Sequence, residues 1–139
     1  MPWASNLRSR AKHAVQLAEA VLLLTAASKL VRLFPRRASA VLVRALSNGV
    51  DIPRVEPALS TDIVRAVQRA ERYVPRNSCL SRAVTSCLML RRRGVRATIR
   101  VGARRDMKGG LLAHAWLESG VQRPSIPPPG EYAEFSKVA

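Results

Sequence analysis

The sequence has few of the cysteines that cross-link small secreted domains through disulfides or bind metals. It contains only two cysteines, Cys79 and Cys87, in 139 residues. The surrounding pattern predicts one helix through both, which places them roughly 12 Å apart along its axis. That separation is too large for a disulfide, and two cysteines at this spacing form no zinc-binding pattern. We therefore expect reduced thiols, no metal and a cytoplasmic location.

Aromatic residues are equally scarce, at 4% of the chain, although hydrophobic residues together make up 47%. A folded core is therefore expected, built mainly from Leu, Val, Ala and Ile. The shortage of aromatic rings also counts against a surface that stacks nucleic-acid bases, and no recognition motif for nucleic acid is present. We accordingly expect no nucleic-acid partner.

Acidic residues number nine against 24 basic ones, which gives a net charge of +15. The excess is spread along the chain, at +6 over residues 1–58 and +9 over residues 59–118. Such a surface attracts polyanions or acidic peptides, and a solvated Arg-rich surface accounts for it equally well. A non-catalytic basic protein that binds or scaffolds nucleic acid or a peptide is therefore one alternative.

The sequence also lacks a long uncharged apolar run. Its most apolar segment, residues 14–34, contains one uncharged stretch of nine residues, 20–28, whereas a spanning helix needs roughly 20. The polar and charged residues within the segment are Gln16, Glu19, Lys29 and Arg32. We predict neither a transmembrane segment nor a signal peptide.

Hydrophobic periodicity predicts helices first and strands afterwards. Helical spacing predicts helices over about residues 5–33, 37–46, 60–74 and 78–93, with a linker at 49–58. From Val95 the period changes to two, which predicts strands at 95–102 and 111–118, a possible third at 121–125, and a short helix over the last nine residues. The order indicates an α+β fold, divided into a helical segment, 1–58, and a core, 59–139.

Cys79 lies where a helix is predicted to begin. Free backbone N–H groups and positive partial charge at a helix N-terminus stabilise a thiolate and hold an oxyanion, and Arg82 adds positive charge. A small buried apolar role for Cys79 is an equally good interpretation at this stage. Cys87, two turns deeper among apolar residues, is predicted to belong to the core.

His114 lies on the predicted strand 111–118, where alternation places His114, Trp116 and Glu118 on one face. A cysteine at a helix start and a histidine on a later strand form a minimal activated nucleophile, in which the imidazole takes the thiol proton. The other histidine, His13, is predicted to be a surface residue.

Four blocks of sequence together resemble a known family. They are Asn-Ser-Cys-Leu-Ser-Arg-Ala at 77–83, Leu-Arg-Arg-Arg-Gly-Val-Arg-Ala at 90–97, Ile-Arg-Val-Gly at 99–102 and Ala-His-Ala-Trp-Leu-Glu at 113–118. In this order they resemble the transglutaminase-like leader peptidases of lasso-peptide biosynthesis, the B protein or its peptidase half. The resemblance implies a papain- or transglutaminase-like core, in which a helix carrying Cys79 packs on a small antiparallel sheet carrying His114.

The resemblance also implies an activity and partners. Such peptidases remove the leader of a ribosomally made precursor with a Cys-His-Asp triad, so Cys79 matches the nucleophile and His114 the base. A separate leader-recognition protein delivers the precursor, and an asparagine-synthetase-like cyclase then closes the ring with ATP. No cofactor is expected for cleavage itself, and dependence on ATP stays open.

The third catalytic residue departs from the family pattern, because no Asp lies C-terminal to His114. If Ser119 and Gly120 form a two-residue turn, Ser125 lies opposite His114, and side chains paired in this way are about 5 Å apart. Ser125 is therefore the predicted third residue. Glu131 is the alternative, and Glu134 could also fold back from the tail.

Overall fold

The computed structural model describes residues 2–47, 56–119 and 133–134, and within them the chain has the predicted α+β fold. The described helices are α1 (Pro2–Leu33), α2 (Arg37–Ser47), α3 (Pro57–Ala70) and α4 (Cys79–Arg91). A single 3-10 turn, Glu71–Tyr73, follows α3. The described strands are β1 (Thr98–Arg105), β2 (Leu111–Glu118) and β3 (Ala133–Glu134).

Two of the helix ends that differ from prediction have local reasons. Helix α3 begins at Pro57 rather than Ser60, since proline is preorganised for the first helical position and needs no hydrogen bond there. Helix α4 ends at Arg91 rather than Arg93, and the chain turns through Gly94, whose φ is 69°. The amide of Val95 then donates to the carbonyl of Leu90 at 3.1 Å, which satisfies a terminal carbonyl of the helix.

The sheet has the order β2-β1-β3, and both pairings of the central strand are antiparallel. Strand β2 coincides with its prediction, whereas β1 begins three residues late, at Thr98. Val95 and Ala97 are instead buried in the core ahead of the strand. The alternating pattern at residues 95–97 therefore predicted burial correctly, but these residues do not pair with another described strand.

The short helix predicted over the last nine residues is wrong for the two residues of that segment that the structure describes. Ala133 and Glu134, predicted to be helical, pair with Ala103 and Gly102 on the edge of β1 away from β2. Pairing across the sheet is a long-range choice that local propensity does not encode. The predicted strand at 121–125 and its turn at Gly120 lie outside the described residues.

One hydrophobic core joins the helices to the sheet. Its fully buried members include Leu24 of α1, Ile63 of α3, Leu90 of α4 and Ile99 of β1. Helix α1 packs against both α3 and α4. The separation into segments 1–58 and 59–139 stays a prediction. The buried side chains of α1 pack in the same core as those of the other described elements.

Helix α1 is long and apolar enough to cross a membrane by length and composition. An 18-residue window within Ser5–Leu33 has a mean hydropathy of 1.6, and 28% of it is buried. The polar residue Glu19 is ion-paired to the end of α4, where it accepts a hydrogen bond from Arg92 Nη1 at 3.0 Å and another from Arg93. The absence of a transmembrane segment stays a prediction.

Candidate active site

Cys79 is the first residue of α4, as predicted, and the helix start is built by its neighbours. Ser78 precedes it in an extended conformation and accepts a hydrogen bond from the amide of Ser81 at 3.2 Å, while the Ser78 amide donates to Ser81 Oγ at 2.8 Å. This reciprocal pair is a capping box. It leaves the amides of Cys79 and Leu80 without an intrahelical acceptor, since the first N–H groups of a helix have none.

The predicted base, His114, lies near the middle of β2 and is half-buried. Its imidazole stacks on the ring of Trp116, two residues along the strand, with centroids 6.2 Å apart and planes inclined by 16°. The neighbouring residues Ala115 and Leu117 point into the hydrophobic core. These core contacts anchor the strand that carries the imidazole.

Cys79 and His114 line the same cavity, which has a volume of about 320 Å³. Helix α4 packs against β2, and this contact brings the helix start and the strand together. Most of the wall is apolar and comes from three elements: Val64 and Val67 of α3, Ala83 of α4, and Ala115, Trp116 and Leu117 of β2. The structure thus brings together the two residues that the sequence proposed as a pair.

Two opposite charges also line this cavity. Arg82 of α4 donates from Nη1 to Glu71 Oε1 at 3.2 Å, across the corner between the 3-10 turn and α4. Burial first, and then the positive charge of Arg82, lower the pKa of His114 below its ordinary value of 6.5. Both causes disfavour the charged imidazolium, so the imidazole is neutral, and able to accept a proton, over a wider pH range.

The second cysteine belongs to the core, as predicted. Cys87 is completely buried, and its Sγ donates to the carbonyl of Ala97 at 3.4 Å. Burial raises the pKa of the Cys87 thiol to about 11, so the thiol stays protonated and unreactive. Cys79 is only partly buried, and neither cysteine is in a disulfide. His13 is exposed on α1, which confirms its predicted surface position.

The candidates for a third residue fall at the edge of what the structure describes. Ser125 and Glu131 lie outside the described residues. Glu118 accepts a hydrogen bond from Arg100 Nε at 2.6 Å and is occupied by that cross-strand pair. Glu134 has a register position in β3: it pairs with Gly102, and Gly102 pairs with His114 on its other side. One row across the sheet therefore holds His114, Gly102 and Glu134.

Some of the site was not visible in the sequence. Glu71 is eleven residues before Arg82, across a turn, and no helical or strand spacing links the two positions. The only local signal for a role of Glu71 was its charge and its position near the proline that ends the predicted helix. Among the residues that the structure describes, no three His, Cys, Asp or Glu side chains lie close enough together to hold a metal ion.

Comparison with known proteins agrees with this arrangement at the level of the family. A family model described as the transglutaminase-like superfamily matches residues 20–139. Searches of curated proteins and of solved structures returned no significant match. The match begins within α1 and covers every element that lines the cavity. The chain therefore belongs to the transglutaminase-like superfamily.

Proposed function

We propose that this chain is a cysteine peptidase that removes the leader peptide from a ribosomally synthesised lasso-peptide precursor. The observation that carries the proposal is that Cys79, at the first position of α4, and His114, on β2, line one cavity. Membership of the superfamily supports cysteine-dependent hydrolysis. The resemblance of the blocks around both residues to lasso-peptide leader peptidases supports the choice of substrate.

The chemistry proceeds in two stages through an acyl-enzyme. The neutral imidazole of His114 takes the proton of the Cys79 thiol, and the thiolate attacks the carbonyl carbon of the scissile amide. The tetrahedral intermediate places negative charge on the former carbonyl oxygen, which the N-terminal amides of α4 stabilise. His114 then gives its proton to the departing amine, the C–N bond breaks, and a thioester to Cys79 remains.

The second stage regenerates the enzyme. His114 takes a proton from a water molecule as that water attacks the thioester carbonyl, the resulting intermediate expels the Cys79 thiolate, and the thiolate takes the proton back from His114. The products are the leader with a new carboxyl terminus and the core peptide with a free amine. The apolar wall made by Val67, Ala83 and Trp116 lowers the local dielectric, which strengthens the stabilisation of the oxyanion.

The wider setting is part of the same proposal. The peptidase acts in the cytoplasm on a precursor delivered by a separate leader-recognition protein, and an asparagine-synthetase-like cyclase consumes the product. The net charge of +15 suits an acidic peptide or partner. Hydrolysis through Cys79 and His114 uses no cofactor of its own.

The chain supplies matched controls for the decisive experiment, because it has two cysteines and two histidines. Purified protein is mixed with the precursor and the recognition protein, and leader release is followed by mass spectrometry. We expect Cys79→Ala to abolish cleavage and His114→Ala to lower its rate by about 100-fold or more. Cys87→Ala and His13→Ala should cleave normally, and normal cleavage by Cys79→Ala would refute the proposal.

Thiol labelling separates the peptidase from a non-catalytic scaffold without needing a substrate. Iodoacetamide at neutral pH should modify Cys79 in the folded protein and leave Cys87 unmodified until denaturant is added, as judged by peptide mapping. Labelling of Cys79 should slow in His114→Ala, because the imidazole no longer accepts the thiol proton. Equal labelling rates in the two proteins would favour a scaffold that binds peptide without cleaving it.

A further inference from the structure

Helix α1 carries apolar residues on the side that faces away from the protein. The outer face of α1, as we name it, consists of exposed residues at helical spacing: Ala11, Val15, Ala18, Leu22, Ala26 and Leu33. Leu22 and Leu33 are each 72% exposed, and Val15 is 66% exposed. A helix that is apolar on all sides normally has every side covered. The described structure covers only the inner side, through Ala20 and Leu24.

Basic residues lie on both sides of the central part of this face, from Val15 to Ala26. Arg8 and Lys12 lie about two turns and one turn before its first large residue, Val15, and Lys29 lies between Ala26 and Leu33. The rise of a helix places Lys12 and Lys29 about 26 Å apart, with only apolar residues of the outer face between them. Apolar residues flanked by long cationic side chains are typical of a helix that lies at a lipid–water interface.

The charge of the surrounding chain has one sign. Residues 1–50 contain eight basic residues and one acidic residue, Glu19. The carboxylate of Glu19 is paired with Arg92 and Arg93, so it does not offset the positive field. A second copy of the chain would bring the same positive charges together, whereas an anionic surface is attracted by them. A nucleic acid would be attracted by the positive charge, but it would not bury the exposed leucine side chains.

We propose that the outer face of α1 docks this protein onto the surface of an anionic lipid bilayer, with the helix in the plane of the interface. Leu22 and Leu33 enter the boundary between headgroups and acyl chains, while Lys12 and Lys29 contact the headgroups. Crossing the bilayer would require α1 to leave α3 and α4, which would expose Leu24 and break the ion pairs of Glu19. The inference does not depend on the proposed peptidase activity.

The test is flotation of the full chain with vesicles of phosphatidylcholine mixed with phosphatidylglycerol, compared with vesicles of phosphatidylcholine alone. We expect binding to the anionic vesicles that falls as salt is raised. Replacing Leu22 and Leu33 together by glutamine should weaken it by about tenfold or more per leucine. Replacing Lys12 and Lys29 together by glutamine should weaken it by about fivefold per charge.

Matched controls lie on the hairpin between β1 and β2, which α1 does not contact within the described residues. Met107→Gln removes a fully exposed apolar side chain, and replacing Arg105 and Lys108 together by glutamine removes two charges. Both should bind anionic vesicles as the unmodified chain does. The thermal unfolding midpoint should be unchanged in the leucine variant, because both leucines are exposed, and this separates lost docking from lost folding.

The absence of binding to anionic vesicles would overturn the proposal, and so would four further results. They are equal binding to neutral vesicles, unchanged binding by the leucine variant, a dimer in solution that the leucine changes dissociate, and membrane association that resists both high salt and alkaline extraction. The third would assign the face to a second copy, and the fourth would mean that α1 crosses the bilayer. Binding to duplex DNA that ignores the leucine changes while vesicle binding is absent would assign the charge to a nucleic acid.

Discussion

Glu19, midway along α1, accepts hydrogen bonds from Arg93, which lies 74 residues later in the chain, just beyond the end of α4. The carboxylate side chain is only 18% exposed, and Arg92 reaches it as well. The hydrogen bond from Arg93, and then the positive charges of Arg93 and Arg92, lower the pKa of Glu19 in spite of its burial. One carboxylate thus fixes the first helix against the helix that begins with Cys79.

Removing that carboxylate should destabilise the fold. We expect Glu19→Gln to lower the free energy of unfolding by about 1–2 kcal/mol, because hydrogen bonds to a partly buried charge are lost. Glu118→Gln is the matched control: its pair with Arg100 is more exposed, at 43% for the Glu118 side chain, and should contribute about 1 kcal/mol or less. Urea denaturation of both variants measures the difference.

The same ion pair predicts a pH dependence. Because the folded protein lowers the pKa of Glu19, its stabilisation is present above the ordinary carboxyl pKa of 4.5 and is lost as the pH falls below that value. The difference in stability between the parent chain and Glu19→Gln should therefore shrink on acidification. A difference that stayed constant down to the acid-unfolding region would contradict this account.

After burial, the charge of Arg82 is the second cause of the lowered pKa of His114, and it can be removed by substitution. Replacing Arg82 by glutamine removes a nearby positive charge, which makes the imidazolium less unfavourable, so the pKa of His114 should rise. Proton NMR of the imidazole signals across a pH series measures this directly, and a His13→Gln variant assigns the two signals. If His114 is the general base, the acidic limb of the cleavage rate should move to higher pH in the same direction.

The control for Arg82 is Arg105→Gln, a change of the same type at the far end of β1. It should leave the titration of His114 where it is. A shift of the same size in both variants would mean that the net charge of the protein, rather than the proximity of Arg82, sets the pKa. Loss of cleavage by Arg82→Gln with no change in titration would instead indicate that the ion pair with Glu71 shapes the cavity.

We expect the capping box to hold Cys79 at the start of α4. Ser78→Ala removes the oxygen that accepts from the Ser81 amide, and the loss of such a cap costs about 1 kcal/mol of stability. The thiol of Cys79 should also react more slowly with iodoacetamide, since a frayed helix start stabilises a thiolate less. Ser9→Ala, at an exposed site within α1, should change stability by less than about 0.5 kcal/mol.

The third catalytic residue can be assigned by comparing how far each substitution lowers the rate of leader cleavage. We expect Ser125→Ala to slow leader cleavage by less than the roughly 100-fold loss expected for His114→Ala, because a hydroxyl orients an imidazole but stabilises its charged form weakly. A larger loss in Glu131→Gln or Glu134→Gln would show that the tail supplies an acid. Glu134 is the more informative of the two, since its register across Gly102 places it in the row of His114.

Much of the active site was predictable because its signals are local. Ser78 is a capping residue that precedes Cys79 and a helical apolar pattern. This local signal predicts a helix start whatever the fold of the rest of the chain. Alternation in β2 predicted its limits without error and placed His114 and Trp116 on one face, where their rings stack. The core position of Cys87 also followed from helical periodicity alone.

The sequence by itself thus determined the order of elements, the helix start at Cys79, the strand that carries His114 and the positive charge of the chain, because each depends on neighbours a few residues apart. Only the tertiary structure decided that β3 pairs with the far edge of β1, that Glu71 holds Arg82 beside the cavity and that Glu19 reaches Arg93. These contacts join residues whose separation carries no periodic signal. They form only when the packing of α1, α3 and α4 around a shared core brings distant side chains within hydrogen-bonding distance.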